Sequence, residues 1–221
     1  MKPRLLIGTN NPSKLQYIKA LIDPDVVECV SPADLKLSID AVEDARDAAG
    51  NALQKAIQFH RASGLPVITE DSGLVFLDLP FDHPDQPGVH VRRPAGVPPL
   101  TDDEDMLRYY CQVITRHGGS LRAAWQDAWC ILLDEKHYAI RADDETSMLS
   151  GAMTLVDVPC NARNPGWPLD SLSISSINGK YWAELSHEEK AEARRLNATL
   201  DEDRRALMEW ITCQIQKLES K

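Results

Sequence analysis

The sequence has few aromatic residues, few glycines and a deficit of positive charge, and each shortage excludes a class of protein. Aromatic residues make up 6% of the 221 positions and glycines number 11, whereas 43% of the residues are hydrophobic and 26% charged. This balance excludes a fibrous or mainly disordered chain. With 24 basic and 34 acidic residues the net charge is -10, which argues against a nucleic-acid polymer as partner. Any polyanionic ligand must then meet a local group of cations.

Cysteine pairs and long apolar runs are also missing. The five cysteines are widely spaced, with no C-x-x-C pair, so neither a disulfide framework nor a zinc site is predicted. The first residues turn polar too early for a signal peptide, and no uncharged apolar run approaches the ~18 residues of a membrane span. We therefore expect a protein of the reducing cytoplasm with no membrane partner.

The first third of the chain has the pattern of an α/β fold. Short apolar runs at 5–7 and 66–69 predict strands, and apolar spacing over 14–22 and 45–63 predicts helices. Both strands run into polar residues. Since ligands of α/β folds bind at the carboxyl ends of strands, these two polar turns are expected to form the site.

The rest of the chain predicts fewer distinct features. Six of the 14 prolines fall within 79–100, which indicates an extended loop that connects two lobes of a single domain over 1–221. Further elements are predicted as a helix over 102–116, strands over 123–133 and 148–158, and helix from about 186 to 221.

Two groups of polar residues are candidates for chemistry. The turn with Thr9, Asn10 and Asn11 leads into a helix that carries Lys14, a combination that suits a phosphate and is equally typical of a capped helix start. Glu70 and Asp71 follow a strand, where alternation points one carboxylate into the site and the other away or across it. Carboxylates there suit Mg²⁺, although an acidic turn has the same pattern.

Three motifs occur in an order that resembles a known family. The family's T-x-N-x-x-K opening is similar to Thr9, Asn11 and Lys14, its N-A-x-x-K-A helix to residues 51–56, and its D-D-S-G-L strand end to residues 70–74. Segments 87–89 and 93–96 resemble its P-G-V and R-Y-A-G motifs. The family is that of the non-canonical purine nucleoside triphosphate pyrophosphatases, also called inosine or xanthosine triphosphate pyrophosphatases.

The resemblance implies a fold, a reaction and a set of residues. The fold is an elongated two-lobed α/β structure with a mixed central sheet and a cleft between the lobes, usually dimeric. The reaction is metal-dependent hydrolysis of a nucleoside triphosphate to monophosphate and pyrophosphate, with Mg²⁺ (or Mn²⁺) held by Glu43 and Asp71. Asp71 would be the general base, and Glu70 would share its work. The residues implied to bind substrate are Thr9, Asn10, Asn11, Lys14, Lys55, Ser72, Arg93, Gly166, Trp167 and Lys190.

The sequence departs from the family where the base is read. The G-[YW]-D-P-x-F loop appears as residues 166–170 with its aspartate missing or shifted to Asp170, and the S-H-R motif expected after Lys190 is absent. Two alternatives therefore remain beside hydrolysis of inosine and xanthosine triphosphates. One is a pyrophosphatase of the same fold retuned to another nucleotide, and the other is a nucleotide-binding protein without turnover.

Overall fold

The computed structural model describes residues 2–217, apart from the side chains of Arg194, Ala198 and Leu200. The described residues form two compact units. Unit 1 is drawn from Met1–Ser72, Asp127–Asp143 and Asp203–Lys221, and unit 2 from Gly73–Gln126 and Asp144–Glu202. The proline-rich residues 79–100 lie within unit 2.

Strands and helices are mixed along the chain, as the sequence predicts for an α/β fold. The strands are β1 (Arg4–Ile7), β2 (Glu28–Val30), β3 (Val67–Phe76), β4 (Ser120–Asp134), β5 (His137–Ala142), β6 (Met153–Val156) and β7 (Ser173–Ile174). The helices are α1 (Pro12–Lys19), α2 (Ala48–Ser63), α3 (Asp103–Arg116), α4 (Glu145–Ser150), α5 (His187–Leu196) and α6 (Ala198–Gln216). No helix within the described residues has the length and apolar character needed to cross a membrane.

The strands form a mixed sheet. Hydrogen bonding follows the order β2-β1-β3-β4-β6-β7, and β5 pairs with β4 beside this path. β1 is parallel to both β2 and β3, whereas β4 is antiparallel to β5 and β6. The expected mixed α/β sheet is therefore confirmed.

In unit 1 the two faces of the sheet bury different helices. Leu5, Ile7 and Ile68 pack with residues of α1 and α6, whereas Leu6 and Val67 pack with Ala52, Ala56 and Phe59 of α2. This division follows from the period of two along a strand, which sends neighbouring side chains to opposite faces. Unit 1 thus has helices on both faces of its sheet.

Unit 2 has its own apolar core. Side chains of β3, β4 and β6 pack against the buried face of α3, with Tyr110 fully buried among them. The Tyr110 hydroxyl donates to the carbonyl of Val91 at 2.9 Å, so the buried oxygen is satisfied. This bond also ties the proline-rich segment to the helix.

Several sequence-based boundaries are corrected. The strand expected to end before Glu70 continues to Phe76, and the strand expected over 148–158 is the helix α4 followed by β6. Asp144 caps α4 by accepting the N–H of Ser147, which explains why a run with several apolar residues begins as helix. The C-terminal helix is two helices, which separate at Asn197, and residues 218–221 lie outside the described part of the chain.

Candidate functional site

The turn after β1 builds the N-terminus of α1. Asn11 caps the helix by accepting the N–H groups of Ser13 at 2.9 Å and Lys14 at 3.3 Å, and its own N–H donates to Thr9 Oγ1 at 3.1 Å. Asn10 instead donates to the carbonyl of Ile39 at 2.7 Å. The sequence-predicted turn residues therefore lie at a helix N-terminus, where backbone dipoles favour an anion.

Gly8 lets this turn begin close to β3. A Cβ at Gly8 would lie 2.8 Å from Thr69 Cγ2 and 2.9 Å from a ring carbon of Phe59. Both neighbours are themselves buried, so neither has room to move away. The glycine is therefore required by a close approach and not by a turn conformation.

Glu70 and Asp71 point to opposite faces of β3, and both are buried, with 6% and 8% of their surface exposed. Glu70 meets Lys14 of α1, whereas Asp71 meets Lys55 of α2. A strand can hold adjacent buried carboxylates when each has a cationic partner, because an unpaired buried charge is costly. This pairing is the physical reason why β3 does not end at the acidic residues.

On the α1 face, Glu70 has partners for both of its oxygens. Lys14 Nζ lies 2.8 Å from Glu70 Oε2, and the Ser72 hydroxyl donates to Oε1 at 2.8 Å. Lys14 also donates to Ser72 Oγ at 3.2 Å. Burial alone would raise the pKa of Glu70, but Lys14 and Ser72 outweigh burial and hold this pKa below its usual value. Glu70 is thus an ionised, paired carboxylate.

On the α2 face, one ammonium group joins two carboxylates. Lys55 Nζ lies 2.5 Å from Glu43 Oε1 and 3.2 Å from Asp71 Oδ1. The second oxygen, Asp71 Oδ2, is buried and has no hydrogen-bond partner among the described residues. Burial raises the pKa of Asp71 despite the opposing charge of Lys55. Asp71 therefore differs from Glu70 in having an open oxygen and a raised affinity for protons.

The loop that carries Glu43 is fastened to α2 by amide side chains. Asn51 Oδ1 accepts the N–H of Ala45 at 2.9 Å. Gln54 exchanges two bonds with Asp44, at 3.2 and 2.8 Å, and Gln58 exchanges two with Val42, at 2.9 and 3.0 Å. These three side chains fix the backbone on both sides of Glu43. Sequence reasoning missed Gln54 and Gln58, although their i, i+4 spacing places them on one helix face.

Two aspartates near this site were not predicted. Asp127 interrupts the apolar pattern of β4, and its pKa is raised well above the usual value by burial and by the charges of Glu70 and Asp143. The backbone N–H of Asp127 donates to Asp143 Oδ2 at 3.0 Å. The signal in the sequence was an acidic residue in the interior of a strand, directly before the apolar run 128–133. The raised pKa favours the neutral, protonated carboxyl group at this position beside Glu70.

The donor set of unit 1 fits a hard divalent cation. The carboxylates of Glu43 and Asp71 converge on a single position, that of the Lys55 ammonium, and Asp71 Oδ2 is an oxygen with no partner. Mg²⁺ prefers one or two carboxylates together with substrate phosphate oxygens. The acidic groups also exceed the two lysines in number, so a triphosphate would need further positive charge here.

Four of the sequence-predicted residues belong to unit 2. Arg93 is exposed in the proline-rich segment, and Gly166 has a φ of +81° and donates its N–H to Asp103 at 2.8 Å. Trp167 is 36% exposed, and Lys190 Nζ lies 5.9 Å above the ring of Trp182. Unit 1 thus brings together the nine predicted residues of the turn, the Glu43 loop, α2 and β3.

Comparison with solved structures shows the same fold elsewhere. A HAM1 protein from Coxiella burnetii matches with a TM-score of 0.67 at 20% identity, over 95% of this chain and 100% of that one. The Staphylococcus aureus Ham1 protein matches with a TM-score of 0.61 at 21% identity, over 90% of this chain and 99% of that one. At these identities the likeness concerns the fold, which is that of the Ham1 proteins.

The sequence comparisons show the family. The Ham1 family model matches residues 5–200, so the chain belongs to the Ham1 family, as the motifs predict. A dITP/XTP pyrophosphatase of Leptospira interrogans is 33% identical over 103 residues, which are 47% of this chain and 50% of that protein. The chain therefore spans about half the length of the curated relatives that it matches first.

Proposed function

We propose that this protein is a metal-dependent pyrophosphohydrolase that converts non-canonical purine nucleoside triphosphates to monophosphate and pyrophosphate. The observation that carries the proposal concerns Asp71. Its buried Oδ2 has no hydrogen-bond partner among the described residues, and its Oδ1 contacts Lys55, which also pairs with Glu43. Relatives named dITP/XTP pyrophosphatases support inosine and xanthosine triphosphates as substrates.

Unit 1 offers two ways of binding phosphates. The first is the N-terminus of α1, where backbone N–H groups and the dipole favour negative charge. The second is the pair of ammonium groups on Lys14 and Lys55, which lie on opposite sides of β3. We assign Thr9, Asn10 and Asn11 to the turn that supports the first, and Ser72 to positioning Lys14 through its 3.2 Å contact.

The contacts favour Asp71 over Glu70 as the general base. A base needs a free lone pair and a suitable pKa, and Asp71 has an unpartnered Oδ2 and a raised pKa. Glu70 has both oxygens in hydrogen bonds and a lowered pKa. In the proposed step Asp71 accepts a proton from water as the water oxygen bonds to the α phosphorus. The bond from that phosphorus to the bridging oxygen breaks, and pyrophosphate leaves.

Glu43 and Asp71 would hold the divalent cation, Mg²⁺ or Mn²⁺. When bound, the cation would neutralise phosphate charge that the two lysines cannot neutralise alone. Within the protein, Asn51, Gln54 and Gln58 keep the Glu43 loop in place for this role.

Unit 2 supplies the groups proposed for the base. Trp167 is exposed enough to stack on a base, and stacking tolerates every base. Asp170 accepts a bond from Asn164 at 2.7 Å, and Arg195 pairs with Glu192 at 2.9 Å, so both already have partners within their own segments. The Arg194 side chain lies outside the part of the chain that the structure describes. These contacts favour, as second candidate, a pyrophosphatase of the same fold retuned to another nucleotide.

Release of pyrophosphate from a panel of triphosphates tests the proposal. We expect pyrophosphate and monophosphate from inosine and xanthosine triphosphates, and loss of turnover with excess chelator. In ¹⁸O-water the label should enter the monophosphate, because water attacks the α phosphorus. Stepwise release of orthophosphate, or nucleotide binding without turnover, would contradict the proposal. Activity confined to another nucleotide in the panel would support the retuned candidate.

The resemblance also supports a cytoplasmic homodimer, and we propose this state, with Arg93 as a residue of the phosphate site or the dimer interface. Lys190 is assigned to the triphosphate and Gly166 to the base loop on the same grounds. Sedimentation equilibrium of the purified chain tests the dimer, and a mass equal to one chain of 24.7 kDa would contradict it.

A further inference from the structure

Unit 2 contains a second group of metal-ligating side chains, separate from the acidic site of unit 1. His83, Asp85 and His117 are each half-buried, and each offers one ligand atom within 4.8 Å of the other two. Among residues 2–217, no other group of three or more histidine, cysteine or acidic side chains has its ligand atoms within 4.8 Å of one another. The sequence motifs that resemble those of the family do not include any of the three.

The three residues come from two segments that the fold holds firmly. His83 and Asp85 lie in the proline-rich segment, and His117 ends α3. Gln86 anchors the first segment, because its side chain accepts the N–H of Phe76 at 2.9 Å and donates to the carbonyl of Phe76 at 2.8 Å. The position of the ligands is therefore set by β3 and α3 and not by an unsupported loop.

Asp85 is the centre of the group. Its Oδ2 lies 2.8 Å from His117 Nε2, and its Oδ1 lies 2.8 Å from a guanidinium nitrogen of Arg116. The backbone N–H of Asp85 donates to His83 Nδ1 at 3.1 Å, and the two imidazole rings are 5.2 Å apart between centroids. Asp85 thus contacts both histidines, one through its side chain and the other through its backbone.

Two imidazole nitrogens and one carboxylate oxygen select for a particular class of metal. Mg²⁺ and Ca²⁺ prefer oxygen ligands throughout, whereas imidazole suits Zn²⁺ and its transition-metal neighbours. Ligands at about 2.0–2.1 Å from a tetrahedral Zn²⁺ lie roughly 3.3 Å from one another. The observed spacings, 2.8 Å for one pair and at most 4.8 Å overall, lie on either side of this distance.

We propose that His83, Asp85 and His117 bind one Zn²⁺ ion, with water in the fourth position. The ion fastens the proline-rich segment to the end of α3. The half-exposed Arg116 side chain can swing away and so does not block the carboxylate. The cysteine spacing gave no indication of this site because no cysteine takes part in it.

Zinc stoichiometry and thermal stability test the site. The full chain is stripped of metal, equilibrated with ZnCl₂ at pH 7.5 and passed through gel filtration, and bound zinc is measured by mass spectrometry. We expect one zinc per chain and a rise in Tm of about 5–10 °C at roughly 100 times Kd. The double variant His83→Gln/His117→Gln should lose both effects and keep its Mg²⁺-supported turnover.

Two control variants separate this site from others in the chain. His137→Gln removes an exposed histidine that lies 2.7 Å from Asp134. Neither residue belongs to the proposed zinc group, so this variant should still bind one zinc ion per chain. Asp71→Asn should also keep the zinc, because the acidic site of unit 1 is distinct. Loss of zinc in Asp71→Asn, with retention in the histidine variant, would overturn the proposal.

Two further results are decisive. If the wild-type chain takes up no zinc at micromolar metal, the group is an ion-paired cluster around Asp85 and the proposal is wrong. If the double variant does not fold, Co²⁺ is bound to the wild-type chain instead. Intense visible absorption, as given by four-coordinate Co²⁺, would support the site, and the weak absorption of six-coordinate Co²⁺ would overturn it.

Discussion

Lys14 Nζ lies 2.8 Å from Glu70 Oε2, and this contact decides how the two acidic residues of β3 differ. It keeps Glu70 ionised and occupied, while the neighbouring Asp71 retains an oxygen without a partner. The residue pattern alone shows two adjacent carboxylates and does not distinguish their surroundings. We therefore propose Asp71 for proton transfer and Glu70 as the paired ion.

Asp71→Asn should lower kcat far more than it raises KM. The amide cannot accept a proton from water, and loss of a general base costs roughly 10²–10⁴-fold in rate. Steady-state release of pyrophosphate from inosine triphosphate measures both constants.

Two matched variants control this experiment. Lys55→Ala should mainly raise KM, because it removes a phosphate-binding charge, and Asp25→Asn, an exposed aspartate paired with Lys2, should change neither constant. Near-normal turnover of Asp71→Asn would make Asp71 a structural residue and Glu70 the next candidate for the base.

Lys14→Met should destabilise the protein in a pH-dependent way. Breaking a buried ion pair by removing one partner costs about 3–5 kcal/mol at neutral pH. In the wild-type chain the lowered pKa of Glu70 means that the pair stabilises the fold above about pH 4.5, and this contribution is lost as pH falls through the lowered value. In the variant burial raises the pKa of Glu70, so protonation relieves the penalty. The stability difference between the two should therefore begin to narrow above pH 4.5, as pH falls through the raised pKa of Glu70 in the variant, and should narrow further below pH 4.5, as pH falls through the lowered pKa of Glu70 in the wild type.

Denaturant unfolding of both chains between neutral and acid pH measures this difference. Lys2→Met removes an exposed cation and serves as the control, with little change expected at any pH. A difference between wild type and Lys14→Met that stays constant with pH would show that Glu70 is not the partner that matters.

Gln54→Ala/Gln58→Ala should raise the Mg²⁺ concentration needed for half-maximal activity by about 10–100-fold. The two glutamines touch the backbone around Glu43 and not the proposed cation position, so they act by positioning that carboxylate. Activity at saturating Mg²⁺ should recover. Gln16→Ala, at an exposed position on α1, is the matched control. An unchanged Mg²⁺ dependence would mean that the loop keeps its place without them.

Selectivity among bases should be weaker than is usual for the family. The S-H-R groups are absent, and the contacts of Asp170 and Arg195 engage these side chains elsewhere. Stacking on Trp167 does not distinguish bases, whereas unpaired buried polar groups do. We expect inosine and xanthosine triphosphates to be hydrolysed with reduced discrimination against guanosine and adenosine triphosphates. Comparison of kcat/KM for the four measures this, and a strong preference for inosine triphosphate would show that another group reads the base.

Much of unit 1 could be predicted from local signals. The helix α2 ends where Gly64, with a φ of +69°, was expected to end it, and α1 begins at the cap that Asn11 provides. The full length of β3 could not be predicted, because the charges of Glu70 and Asp71 read as a strand end until Lys14 and Lys55 are placed beside them. Such compensation depends on residues distant in sequence.

The same reason explains what was missed at the site. Gln54 and Gln58 look like ordinary surface residues of a helix, and their role depends on a loop whose course has no local signal. The raised pKa of Asp127 depends on its position near Glu70, which the pairing of strands determines. The motifs indicate the residues that we propose to react, whereas the groups that support them are defined by tertiary contacts.

The alternation along β3 also restricts how this gene segment can change in length. Insertion or deletion of one residue between Val67 and Glu70 would move Glu70 to the α2 side and Asp71 to the α1 side, exchanging their lysines. The chain would keep the same acidic pair, yet the carboxylate that has an oxygen without a partner would face the wrong helix. Only changes by an even number of residues preserve the assignment, so length polymorphism in this strand should be confined to pairs of codons.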